Sequence, residues 1–150
     1  MRRPGWLSRD DRGSMAVELV VAALGFALLL VLVSGGGQWL NLTGDVGSAA
    51  RDAAREASIA LSYQQAKDNA LAAAQADLGR TCTTAPQVDV EMFLNGRRVL
   101  GDAAFATAQD LEVTVTCQAS LSAFSDVGFK VSSTFSDKAA VPLDPFVDRG

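Results

Sequence analysis

Residues 13–33 read GSMAVELVVAALGFALLLVLV, and this stretch organises the rest of the chain. Arg2, Arg3, Arg9 and Arg12 precede it. Glu18 is its only charge, and from Leu19 to Val33 every residue is apolar or glycine. As a helix those fifteen residues span about 22 Å, and extension to Met15 and Leu40 gives about 39 Å. The hydrocarbon core of a bilayer is about 30 Å thick, so a single crossing is predicted if the flanks join the helix. A solvated helix would carry one apolar stripe and one polar face, and this stretch has no polar face.

Glu18 is the exception. A carboxylate within an apolar helix costs on the order of 2.5–3.5 kcal/mol on insertion scales. One reading places it in the headgroup region, where the positive N-terminal end of the helix dipole favours an anion. The other makes it a recognition or pairing group.

The order Gly13, Ser14-Met15-Ala16-Val17-Glu18, then a long apolar run behind a basic leader, resembles the class III prepilin motif. With an Ala/Arg-rich helix and a small exported domain following, the chain is similar to TadE-like minor pseudopilins of tight-adherence (Flp-type) pilus machinery. The resemblance implies that a membrane aspartyl prepilin peptidase cuts after Gly13 and leaves Ser14 as the new N-terminus. Glu18 then holds the place of the motif's glutamate at the fifth mature position. Leu19 stands where the family often has an aromatic residue. The implied partners are the membrane, the prepilin peptidase, other pilins or pseudopilins and pilus platform proteins. In a bundle of such helices a buried Glu18 needs a countercharge, and the free ammonium of a neighbour's Ser14 could supply it, leaving neither charge alone in an apolar core.

The 150 residues suit one small domain plus a targeting element. Residues 34–150 hold 9 of the 13 Lys+Arg and 14 of the 17 Asp+Glu, a net charge of about −5. An acidic domain argues against nucleic acid as a partner, since that calls for a basic patch. After Val33 the next cation is Arg51, so the positive-inside rule keeps the N-terminus in the cytoplasm and sends the bulk outside it. The expected location is the cytoplasmic (inner) membrane, crossed once, with possible incorporation into a pilus. The expected division is a basic cytoplasmic leader over 1–13, a transmembrane helix over 14–40 and an extracytoplasmic α+β domain over 41–150. Cys82 and Cys117, an even pair in an oxidising compartment, suggest one disulfide, with two buried thiols as the alternative. A bridge would close a loop of about 36 residues and stabilise by roughly 3–4 kcal/mol.

A secretory signal peptide is the competing reading of the N-terminus. Val33-Ser34-Gly35 could serve as its cleavage site, leaving Gly36 first, although Glu18 stands at the start of its apolar region. The chain would then be a soluble or membrane-anchored exported binding domain that uses residues 1–35 only for export.

Ser34-Gly35-Gly36-Gly37 predicts a hinge or local melt, because each glycine costs about 1 kcal/mol in a helix relative to alanine. Trp39 suits a membrane–water interface. Thr43-Gly44-Asp45 offers a fresh helix start, so one kinked helix and two helices both remain open, and the family resemblance favours near-continuity. A second helix is predicted over 45–78, with Val46, Ala50, Ala53, Ala57, Ala60 and Leu61 on one face and Gly79 as its C-cap. Beyond it the period changes to two. Val88, Val90, Met92 and Leu94 alternate with Asp89, Glu91 and Phe93, Asn95-Gly96 signals a two-residue hairpin, and 97–100 returns. An Ala-rich loop or helical turn over 101–109 precedes a strand through Leu111, Val113, Val115 and Cys117. A further strand runs through Phe129, Val131, Ser133 and Phe135. The fold class is therefore α+β: a long N-terminal transmembrane, pilin-like helix, an amphipathic helix and a small antiparallel sheet of three or four strands. Residues 141–150 read as an extended tail whose Asp144 and Asp148 lack the regular oxygen ligands of a calcium loop.

The chain has no histidine, which removes Ser-His-Asp and Cys-His catalysis and a mixed zinc site. It has no phosphate loop of the GxxxxGK[ST] form. No catalytic residue, cofactor or metal is assigned, and an enzyme is not expected.

Overall fold

A computed structural model describes residues 11–125 and 128–143, without the side chains of 11–14 and 123. The first element, α1 (Asp11–Ser58), is one helix of 48 residues, about 72 Å long. It passes through Ser34-Gly35-Gly36-Gly37 without a break, so one helix rather than two runs here and the expected local melt is absent. Tertiary contacts compensate for the weak propensity there: Gly35 is buried, and Trp39 stacks at a tilt on Phe135 with ring centroids 4.7 Å apart. Thr43 does not cap a new helix; its hydroxyl donates to the Trp39 carbonyl one turn back, at 2.9 Å.

The helix expected over 45–78 is two helices. α1 stops at Ser58, and α2 (Tyr63–Leu78) starts afresh after a four-residue turn. Ser62 is the N-cap: its backbone is extended, and its hydroxyl accepts from the Gln65 N–H at 3.2 Å. The Gln65 side-chain oxygen accepts in return from the Leu61 N–H at 3.0 Å, a near relative of the capping box. The turn folds α2 back beside α1, so that Ala66, Ala70, Ala74 and Leu78 are buried rather than carried past the domain. Val46, Ala50, Ala53, Ala57 and Ala60 are buried as expected, but Leu61 falls in the turn and is 56% exposed. Gly79 is the C-cap, its N–H donating to the Gln75 carbonyl.

Then follow β1 (Gln87–Leu94), β2 (Arg97–Val99), the short α3 (Asp102–Phe105), β3 (Asp110–Ser120), the short α4 (Ser122–Ser125) and β4 (Ser132–Pro142). The four strands form one antiparallel sheet in the order β2-β1-β3-β4. Asn95 and Gly96 both take positive φ, 51° and 74°, the requirement of the tight hairpin that joins β1 to β2. The last strand lies further along than its alternation suggested. Phe129 and Val131 precede it, while Val141 and Pro142 belong to it, paired with Leu111 and Asp110. Eleven register pairs with β3 outweigh the weak strand propensity of Asp137-Lys138-Ala139-Ala140.

Both long helices cover one face of the sheet, α1 over β3 and β4 and α2 chiefly over β1. Val90, Met92, Leu111, Val113, Val115 and Cys117 point into that layer, and Phe105 closes it beside Tyr63. The opposite face is polar and solvated, crossed by Arg98–Glu91 at 2.9 Å and Lys138–Glu112 at 3.2 Å. Together these make an α+β fold with a long apolar N-terminal helix. The part of the tail over 144–150, with Asp144 and Asp148, lies outside the described residues.

Candidate membrane and assembly interface

The N-terminal half of α1 stands clear of the domain. From Met15 to Ser34 only Val31 is even half-buried, and the apolar side chains are exposed on every side: Val17 65%, Leu24 65%, Leu29 55% and Leu32 65%. A helix apolar all round and exposed among the described residues is suited to lipid or to other apolar helices. It is long and apolar enough to be a candidate membrane span. Glu18 lies exposed on this rod, and among the described residues no ion pair engages it. Gly13 and Ser14 fall in the first turn of α1, so the bond expected to be cut lies at a helix end, where backbone N–H groups lack intrahelical partners. Arg2, Arg3 and Arg9 of the basic leader lie outside the described residues.

The domain begins abruptly at Gly35. A Cβ at this position would sit 2.5 Å from the Phe124 ring, so the absence of a side chain lets α4 press on the helix. One turn on, the Gln38 side-chain amide donates to the Ser122 hydroxyl at 2.5 Å. Trp39 and Phe135 complete this root of the rod. Gly36 and Gly37 face open space. Further along, Gly47 leaves room for Asp137: a Cβ there would be 2.6 Å from the carboxylate oxygen. Sequence reading places Trp39 near an interface but does not find Phe124, Ser122 or Asp137 as partners of α1. They lie some ninety residues away in the chain, and a glycine leaves no periodic signal of what it admits.

Cys82 and Cys117 are joined by a disulfide, with Cα atoms 5.5 Å apart. Cys117 shares the inner face of Leu111, Val113 and Val115, so the bridge ties the end of α2 to the sheet. Beside it the Thr83 N–H and hydroxyl both donate to the Gln118 carbonyl. An open groove between α1 and α2 is lined by Asp52, Glu56 and Asp77 with alanines from α2. Among the described residues no three His, Cys, Asp or Glu side chains converge as metal ligands. The groove is what remains where two alanine faces pack closely beneath solvated carboxylates.

No known family model matches the chain, and no curated protein or solved structure is significantly similar to it.

Proposed function

We propose that this chain is a minor pseudopilin-like structural component of a tight-adherence pilus or related secretion assembly, cut by a prepilin peptidase after Gly13. The observation that carries the reading is the continuity of α1. One helix supplies both a bare apolar rod and, through Val46, Ala49, Ala50, Ala53 and Ala57, much of the domain's packed core. Such a rod can rest in a bilayer and later exchange lipid for neighbouring rods, carrying the domain with it rigidly. Its N-terminus lies in the cytoplasm and its domain beyond the cytoplasmic membrane, in line with the four leader arginines. Glu18 is the group the peptidase and neighbouring subunits read, its carboxylate meeting the Ser14 ammonium of the next rod.

The signal-peptide alternative requires a cut between Gly35 and Gly36. That cut would fall inside α1 and remove the buried Gly35 from beneath Phe124, which favours the first reading. N-terminal sequencing of the chain recovered from cells that express a prepilin peptidase distinguishes the cases. Ser14 as first residue supports the pseudopilin, Gly36 the signal peptide, and Met1 a plain anchor. Glu18→Ala should abolish cleavage or incorporation; wild-type levels of both would remove the role given to this carboxylate.

A further inference from the structure

Twenty residues from Met15 to Ser34 span about 30 Å as a helix, the thickness of the hydrocarbon core. Gly35 then stands at the core's edge. The headgroup layer beyond is roughly 5–7 Å deep on each side. Among the described residues, the contacts with α1 at this level come from α4 and from Phe135 of β4, which stacks on Trp39. Phe124 lies on Gly35, and Ser122 accepts from Gln38. The Phe129 N–H donates to the Phe124 carbonyl at 2.9 Å, and the Leu121 N–H donates to the Val131 carbonyl at 2.9 Å, so Phe129 and Val131 are held to the same place. Phe129 is nevertheless 67% exposed and Val131 37%, and on α1 Trp39 is 45% and Leu40 72% exposed. Lys130, between Phe129 and Val131, is exposed as well.

We infer that Phe129 and Val131 are a second membrane contact, docking the domain on the bilayer surface that α1 enters. The occupant is the headgroup and upper acyl layer of that leaflet. The argument is continuity: the apolar patch is tied by backbone hydrogen bonds to α4 and the residue before it, and Phe124 of α4 lies on Gly35, where the bare rod meets the domain. Phe129 enters the interface as an aromatic anchor, as Trp39 does from the helix. Lys130 lays its stem on the apolar layer and presents its ammonium to lipid phosphate. Two contacts, one along the rod and one beside it, fix how the domain leans on the membrane, which one helix alone leaves free to rotate. The inference rests on α1 being a membrane span.

The test uses the full chain in vesicles of phosphatidylethanolamine and phosphatidylglycerol, with Trp6 and Trp39 replaced by Phe and one new tryptophan at a time. Leu28→Trp reports the span, Phe129→Trp the proposed contact, and Leu100→Trp the far end of the sheet, where Leu100 is 74% exposed. Lipids brominated deep in the acyl chain should quench Leu28→Trp. Lipids brominated near the headgroup should quench most of the Phe129→Trp emission and shift the remainder to the blue, while Leu100→Trp stays unquenched. An unquenched Phe129→Trp beside a quenched Leu28→Trp overturns the inference and leaves the span intact. A blue shift without quenching overturns it too, since a protein surface would then cover the patch. An unquenched Leu28→Trp removes the span itself. Repeating the Phe129→Trp measurement with Trp39 retained, as a difference from the parent chain, removes any effect of disturbing the Trp39–Phe135 stack.

Discussion

Three consecutive glycines in one helix have different roles. Gly35 is buried beneath the Phe124 ring, whereas Gly36 and Gly37 meet nothing within 4 Å. Alanine at an open helical site removes backbone freedom from the unfolded chain and gains helix propensity. Gly36→Ala is therefore expected to stabilise the domain by about 0.5–1 kcal/mol. Gly35→Leu has the opposite sign. Its side chain expels Phe124 from α1, at a cost of about 1–3 kcal/mol typical of overpacking. Urea unfolding of the two variants in detergent, followed by near-UV circular dichroism, reads both signs in one experiment. Equal effects would mean that the helix does not distinguish its glycines. Gly47 belongs with Gly35: it admits the Asp137 carboxylate, which β4 carries toward α1 opposite Val115.

At the scale of elements, the turn over 59–62 decides the architecture, because it lets two alanine faces meet. Ser62→Ala removes the hydroxyl that accepts from Gln65 and is expected to cost about 0.5–2 kcal/mol, while Ser62→Gly should cost only a few tenths. Hydrogen exchange at the first amides of α2 would localise the loss; an Ala variant as stable as the parent would remove the cap from the account. The signal for this break was present as Ser62-x-x-Gln65, but alanine periodicity ran across it and masked it. Strands were more legible: alternation through Leu111, Val113, Val115 and Cys117 located β3, and Asn95-Gly96 located the hairpin to the residue. Alternation through Phe129 and Val131 places the last strand too early, because these residues alternate like strand residues yet are exposed ahead of it. The apolar rod is legible from composition alone, since every residue from Leu19 to Val33 is apolar or glycine and no polar face remains. The root of the rod is not, because it depends on which distant residue a glycine admits.

On the scale of the whole molecule, the structure divides at Gly35 into a part that supports the fold and a part that does not. The disulfide belongs to the first. It joins the end of α2 to the middle of the sheet across a sequence separation of 35 residues. Reduction, or Cys82→Ala with Cys117→Ala, is expected to lower stability by roughly 3–4 kcal/mol, read as a shift in urea midpoint with and without reductant. The rod belongs to the second. Between Met15 and Ser34 only Val31 is half-buried, so the described residues ahead of Gly35 contribute almost nothing to the core. A chain beginning at Gly35 should therefore fold, remain soluble without detergent and unfold in urea within about 0.5 kcal/mol of the full chain, as expected of changes at exposed positions. A chain beginning at Leu40 loses Gly35, the Gln38–Ser122 hydrogen bond and the Trp39–Phe135 stack. It should be weaker by a margin set mostly by the aromatic pair, about 0.5–1.5 kcal/mol beyond the area it buries. If both truncations unfold at the same midpoint, the root is not part of the domain, and the boundary belongs beyond Trp39. If instead the Gly35 chain fails to fold while the full chain folds in detergent, the rod contributes to the domain's stability and cannot be treated as a separate membrane-borne part.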